Sequence, residues 1–297
     1  MTIETVAILS PGDMGHAVGQ LLREHELRVV TCLTARSRRT RILSEQAGIV
    51  DVPDFEQMVE QSDIVLSITV SESATAVARM VADAVRSTGG TDLLFAECNA
   101  IAPQVARDIE PVITDSGARF VDASIIGGPP SNGSSPRFYT SGPRAAEMEQ
   151  LGEFGLDVRN IGPNTGQASG IKMCYAAMTK GSSALYAQLL MAAELMGLSG
   201  HLKAEFQDGQ GAVYQRMERG LPGVPAKSRR WVSEMEEIQA TFSGLGMTPH
   251  LFQGVADMYR LIGATPLGEE TPESKDLERS LEQTITQLAA HVEPPAG

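Results

Sequence analysis

Cysteine is scarce: the 297 residues hold three, Cys32, Cys98 and Cys174, far apart in the chain. None forms a metal-spaced pair, so no metal site is expected, and the thiols read as reduced residues of a reducing compartment. Basic residues are in deficit, with 24 Lys and Arg against 37 Asp and Glu, a net charge of -13. That balance argues against nonspecific binding to nucleic acid or to an anionic membrane. Long apolar runs are missing as well, so no stretch spans a bilayer. The first residues lack the basic region and apolar core of a signal peptide. The expectation is a cytoplasmic protein.

What is present is an ordinary globular composition, 42% hydrophobic and 21% charged, on a chain longer than a usual single domain. Two domains follow as the working expectation. Thr5-Val6-Ala7-Ile8-Leu9 is a short apolar run of the kind that forms a strand buried on both faces. Ser10-Pro11-Gly12-Asp13-Met14-Gly15 follows at once, and then a helical pattern through Ala17, Val18, Leu21 and Leu22. Strand, glycine turn and helix in this order provide the backbone approach and the helix N-terminus that bind a dinucleotide pyrophosphate. Ser10 occupies the first glycine position of the fingerprint; a plain turn remains the bland alternative.

The second strand, read at 27–33, ends in Thr34-Ala35-Arg36-Ser37-Arg38-Arg39, with no acid until Glu45. A carboxylate there would bind ribose hydroxyls and repel a ribose phosphate, whereas guanidinium groups bind the phosphate with paired hydrogen bonds. Thr34, Arg36, Ser37 and Arg38 therefore point to NADP. The alternative is an arginine-decorated surface loop.

Strands and helices go on alternating: helix 54–61, strand 64–68, helix 73–86, strand 93–96, helix 103–115, strand 119–123. Strands at 137–141 and 156–161, with a helix 144–154 between them, close the pattern. This predicts an α/β Rossmann-type domain with a mostly parallel sheet over 1–163, and ligands bind such sheets beyond the carboxyl ends of the strands. Thr69-Val70-Ser71, Glu97-Cys98-Asn99 and Ser124-Ile125-Ile126-Gly127-Gly128-Pro129-Pro130 stand there. The last, rich in backbone N–H groups, suits a carboxylate or reads as a plain loop. An all-helical domain over 164–297 begins with a long interdomain helix. Its stripe Ile171, Cys174, Met178, Ser182, Leu185, Leu189, Ala192 and Met196 steps by three and four. Lys172 is a lone amine in its first turns. Trp231 to Leu245, Phe252 to Leu261 and Leu277 to Leu288 give three further stripes. Arg229, Arg230 and Trp231 form either an anion site or an exposed helix start, and the tail Glu293–Gly297 is expected to be loose.

These segments in this order resemble the β-hydroxyacid dehydrogenase superfamily, which includes 6-phosphogluconate dehydrogenase and 3-hydroxyisobutyrate dehydrogenase. Ser10-Pro11-Gly12-Asp13-Met14-Gly15 is similar to its cofactor loop, and Glu97-Cys98-Asn99-Ala100-Ile101-Ala102-Pro103 to its D-x-S-T-x-x-P segment. Asp122 to Gly128 is similar to D-x-P-V-S-G-G, and Gly162 to Lys172 to its catalytic segment. Ser124 to Pro130, Lys172 to Gly181 and Arg230 to Ile238 resemble a less characterised branch that carries a phosphogluconate-dehydrogenase-like C-terminal domain. The resemblance implies hydride transfer between a dinucleotide (Ser10, Pro11, Gly12, Asp13, Met14, Thr69, Val70, Asn99) and a small hydroxyacid or its carbonyl form. Lys172 would be the general acid/base, Ser124, Gly127 and Gly128 would hold a substrate carboxylate, and Asn99 would face the nicotinamide. The Asn that follows the family's lysine by four is Ala176 here, so Tyr175 or Lys180 is left to supply the polar group. A homodimer through the helical domain is also implied. The alternatives are an imine reductase and a non-catalytic NADP-binding sensor.

Overall fold

The structure, a computed structural model, describes residues 2–89, 92–130, 135–271 and 273–292; the tail at 293–297 lies outside them. The chain forms two compact units, Met1–Tyr175 and Ala176–Gly297.

The first unit is built on one eight-stranded sheet. Its strands are β1 (Thr5–Leu9), β2 (Arg28–Thr31), β3 (Val50–Asp51), β4 (Ile64–Ser67), β5 (Leu94–Glu97), β6 (Arg119–Ile126), β7 (Arg137–Ser141) and β8 (Asp157–Asn160). They lie in the order β3-β2-β1-β4-β5-β6-β7-β8. Every pairing is parallel except β6 with β7. The α/β fold expected from the alternation is therefore present. Continuous apolar strands are buried on both sides, as a parallel sheet requires. On β1, Val6 and Ile8 join the layer of Val18, Leu22, Met148 and Leu151, while Ala7 and Leu9 join the layer of Met58, Val81, Val85 and Ile109. The two layers follow from the period-two alternation of side chains along a strand.

The helices of this unit are α1 (Asp13–Glu24), α2 (Arg38–Gln46), α3 (Phe55–Glu60), α4 (Ala74–Thr88) and α5 (Pro103–Thr114). The helix read at 144–154 is a 3-10 helix, Ala145–Phe154. The second strand stops at Thr31, and α2 and β3 occupy what sequence patterning leaves without structure. In α2 only Ser44 is buried, so it shows no apolar stripe; Ser37 starts it by accepting the Thr40 amide, and capping rather than burial defines it.

The long helix α6 (Gln167–Leu195) opens the helical region, and the division between the units falls within it. The stripe read from its periodicity is the exposed side. Met178, Leu185 and Met196 are 60%, 57% and 64% exposed, while Ala168, Met173, Ala176, Ala184, Ala187 and Met191 are buried. Small residues make the contact because they let neighbouring backbone close in. The second unit continues with α7 (Ser199–Gly209), α8 (Gly211–Gly220), α9 (Pro225–Gly244), α10 (His250–Ala264) and α11 (Leu281–Ala289). Met235 and Ile238 of α9 and Phe252, Val255, Tyr259 and Ile262 of α10 are buried. Leu277, read as the start of the last stripe, precedes α11 and is 79% exposed; the capping box of Ser280 and Gln283 sets the helix start instead. Among the described residues, no helix is long and apolar enough to cross a membrane.

Candidate active site

The glycine loop joins β1 to α1 in a defined conformation. Ser10 has a left-handed backbone, φ 62°, and its carbonyl accepts the Gly12 amide at 2.7 Å. A side chain on Gly15 would bring a Cβ within 2.7 Å of that carbonyl, so Gly15 is required by the fold. Gly12 meets no such demand: a Cβ there would lie 3.9 Å from its nearest neighbour. Gly12 is also the N-cap of α1 and provides no side-chain cap. The first amides of α1 therefore stand beside an unobstructed approach, the arrangement that binds an anion. Pro11 is buried, and Ser10, Asp13 and Met14 are partly exposed around this approach.

The arginine segment divides by task. Arg39 pairs with Asp13 at 2.5 Å, tying the start of α2 to the glycine loop. Arg41 donates to the Leu33 carbonyl at 2.5 Å. Thr34 donates to the Pro53 carbonyl, and the Ser37 side chain caps α2. Arg36 and Arg38 have no side-chain hydrogen bond or ion pair among the described residues. Two guanidinium groups beside the α2 N-terminus fit a ribose phosphate, and the one acid nearby in the loop, Asp13, is already neutralised by Arg39.

A buried polar row crosses the sheet at the strand ends. Ser67, Glu97, Asp122 and Ser141 are register partners on β4, β5, β6 and β7, and all four are fully buried. Burial, reinforced by the neighbouring Asp122, pushes the Glu97 carboxyl up to about 8 against its hydrogen bonds to Asn99 and Ser67. The Cys98 thiol is pushed up by the same burial. Asp122 is also raised by burial, but it accepts from the Ser169 and Ser141 hydroxyls at 2.6 and 2.7 Å. It further accepts from the amides of Gly166, Ala168 and Ser169 at 2.8, 3.1 and 3.2 Å. Of the two adjacent acids, Asp122 holds the negative charge and Glu97 the proton, because five donors and a helix N-terminus converge on Asp122.

Asp122 thereby fixes the start of α6, and Lys172 stands on the turn that follows. The Lys172 Nζ donates to the Ile125 carbonyl at 2.6 Å, on the strand end that leads into Ile126, Gly127 and Gly128. Gly127 has φ 132°, and a Cβ there would lie 3.2 Å from Pro136 Cα, so only glycine fits that approach. Gly127 and Gly128 are exposed. The structure thus brings Lys172 and the glycine pair to one strand end.

Several expected site residues have other tasks. Ser124 is fully buried and gives its hydroxyl to the Ala168 carbonyl at 2.7 Å, so it ties β6 to α6 and its hydroxyl is not presented to a ligand. Asn99 is buried with both ends of its amide engaged: Oδ1 accepts the Thr69 amide at 2.5 Å, and Nδ2 donates to Ser67 and Glu97. It sets the turn after β4, where Thr69 is partly exposed and Val70 exposed. Lys180 is ion-paired with Glu234 and lies over the Trp231 ring, which neutralises its charge locally. Tyr175 is exposed and faces the guanidinium of Arg137 at 6.0 Å.

Patterning missed Arg137, Ser141 and the cap formed by Asp122. An acid inside an otherwise mostly apolar strand was the available signal for Asp122. Arg137 had none, because an arginine opening a strand reads as a solvated edge. In the helical unit a mostly apolar cavity of about 350 Å³ is lined by Gly181, Leu185, Phe252, Val255 and Met258; no candidate residue lines it.

A glycine loop at the head of a parallel sheet is a dinucleotide-binding arrangement, and the family match makes the protein a nicotinamide-dinucleotide-dependent oxidoreductase. Residues 5–153 match the NAD-binding domain of 6-phosphogluconate dehydrogenase, and the chain belongs to that family. Residues 193–262 match a domain of unknown function (DUF1932). An uncharacterized 28.5 kDa protein of Methanothermus fervidus is 24% identical over 86% of this chain and 98% of its own. A solved protein of unknown function, described as similar to 3-hydroxyacid dehydrogenases, is 26% identical, covers 87% of this chain and 96% of its own, and has a TM-score of 0.65. The Mycobacterium tuberculosis 3-hydroxyisobutyrate dehydrogenase, solved with L-serine, is 19% identical, covers 97% of this chain and 99% of its own, and has a TM-score of 0.69. Imine reductases share the fold at TM-scores of 0.53 to 0.56.

Proposed function

We propose that the protein interconverts a small hydroxyacid and its carbonyl form with NADP, using Lys172 as the general acid/base. The observation that carries the reading is the placement of the Lys172 amine at the Ile125 carbonyl, one residue before Ile126-Gly127-Gly128, on a helix start anchored by Asp122. The bound dinucleotide supplies a hydride acceptor or donor. Lys172 takes the hydroxyl proton of the substrate in oxidation and returns it to the carbonyl oxygen in reduction. The Ile125 carbonyl orients the amine. The exposed amides of Gly127 and Gly128 suit a carboxylate, a task that passes to them because the Ser124 hydroxyl is occupied. Asn99 acts by holding the turn at Thr69. The 2′-phosphate of the cofactor is assigned to Arg36 and Arg38, with the α2 N-terminus behind them.

A homodimer belongs to the same proposal. The exposed apolar residues of α6 are a surface of the kind a second copy covers, and a mass measurement in solution checks it. The function itself is tested by a turnover screen with NADP and NAD, in both directions, over small β-hydroxyacids, aldehydes and cyclic imines. NADP-dependent turnover of a hydroxyacid, lost in Lys172→Ala, is expected. Turnover of imines alone would replace the reading with an imine reductase. Dinucleotide binding with no turnover of any class would replace it with a sensor.

A further inference from the structure

We infer that Arg137, beside the Tyr175 ring and opposite Ile126 at the head of the Gly127-Gly128 loop, supplies the positive charge that recognises the substrate's carboxylate together with the glycine amides; the assignment rests on the hydroxyacid reading above.

Arg137 opens β7 directly opposite Ile126, the residue before the glycine pair. Pro136, its neighbour in the chain, is the residue that a Cβ on Gly127 would strike. Tyr175 lies three residues beyond Lys172 on α6, so both project from one side of the helix. The Arg137 guanidinium sits 6.0 Å from the centre of the Tyr175 ring. One residue therefore touches both halves of the candidate site, the helix that bears the amine and the strand that bears the loop.

The guanidinium makes no ion pair among the described residues, although its charge helps to lower the Asp157 carboxyl across the strand pair. Its Nε is buried and has no hydrogen-bond partner, and no side-chain hydrogen bond or ion pair engages Arg137 among the described residues. The acid in register with it, Asp157 on β8, is committed elsewhere: Arg159 holds it through two hydrogen bonds of 2.8 and 2.7 Å. A partly buried guanidinium that lacks its carboxylate is a costly arrangement for stability alone. A cation–π contact with the Tyr175 ring holds the guanidinium by its charge and occupies none of its N–H groups. A planar fork selects a planar, bidentate acceptor, which a carboxylate is.

The test uses the NADP-loaded protein with 3-hydroxypropionate, its uncharged primary amide and inorganic phosphate as probes. Affinities are measured by calorimetry for the wild type, Arg137→Met and Arg137→Lys. The expected result is a preference for acid over amide of about tenfold or more in the wild type, abolished in Arg137→Met and partly kept in Arg137→Lys, which retains the charge but not the fork. Amide affinity should be the same in all three. If methionine prevents folding, Arg137→Gln keeps a polar head over Tyr175 and gives the same comparison. An undiminished acid preference in the variant overturns the assignment. So does a wild type without acid preference, or phosphate bound through Arg137 more tightly than the acid. Hydride transfer is read separately from NADPH absorbance. Acid binding that depends on Arg137 but is never followed by turnover would sink the dehydrogenase reading and leave the assignment of Arg137 standing.

Discussion

Asp122 grips Ser169 twice: one carboxylate oxygen accepts its hydroxyl at 2.6 Å and the other its amide at 3.2 Å. The contact joins a sheet strand to the first turn of α6, three residues before Lys172. The position of the amine is therefore set by an acid that faces away from solvent. Asp122→Asn leaves a single acceptor oxygen for donors that now use two. With its amide oxygen in the place of Oδ2 the variant keeps the three helix-start amides but loses the charge they share and turns an N–H group on the Ser169 hydroxyl, at a cost of about 1 to 3 kcal/mol in unfolding free energy. Chemical denaturation measures that loss, and turnover should fall along with it.

Lys172→Ala separates chemistry from binding. Turnover should fall by a factor of about 100 to 10,000, the usual range for a lost general acid/base. NADPH affinity, measured by fluorescence titration, should stay within about twofold, since the helix start is held by Asp122 and not by the lysine. A variant that turns over at the wild-type rate would remove Lys172 from the mechanism.

Arg36→Ala and Arg38→Ala should each weaken NADPH binding about tenfold or more while leaving NADH unchanged, because only the former carries the ribose phosphate. Arg39→Ala should behave differently. It uncovers Asp13 beside the glycine loop, so both dinucleotides should bind more weakly.

Glu97 gives the pH dependence. Its carboxyl titrates near 8 in the folded chain against 4.5 ordinarily, so the folded state binds the extra proton between those values. Its contribution to stability is complete below about 4.5 and is lost as the pH rises towards 8. Glu97→Gln, which mimics the protonated form, should flatten the melting temperature between about pH 5 and 8 relative to the wild type. An unchanged slope would place the titration elsewhere.

The alternation of strand and helix was legible because the buried strands are short apolar runs and helices such as α1, α4 and α5 carry an apolar stripe. Legibility failed where another interaction took over. The start of α2 depends on the Ser37 cap and not on a stripe, and Leu277 lost its place to the cap at Ser280. The stripe of α6 named the exposed side, since periodicity reports that a helix has two faces and not which one is covered. In the candidate site, the Lys172 amine reaches the Ile125 carbonyl at the strand end that leads to Gly127 and Gly128. The tasks of Ser124 and Asn99 were not legible, because a hydroxyl or amide in a motif carries no mark of whether its partner will be a ligand or the Ala168 carbonyl and the Thr69 amide.

Gly12→Ala and Gly15→Ala separate the two uses of glycine in the loop. With 3.9 Å of clearance, Gly12→Ala should leave the melting temperature near that of the wild type and weaken dinucleotide binding. Gly15→Ala, driven to 2.7 Å from the Ser10 carbonyl, should lower the melting temperature first.

That last contact bears on how such loops are found. The serine at the head of the fingerprint takes the left-handed turn that a glycine usually makes, and Gly15 leaves the room that its carbonyl needs. The letter at one position and the space at another compensate each other. A pattern search that demands three glycines would pass over this chain, while one that scores the pair by geometry, a left-handed first residue facing a residue without a side chain, would find it.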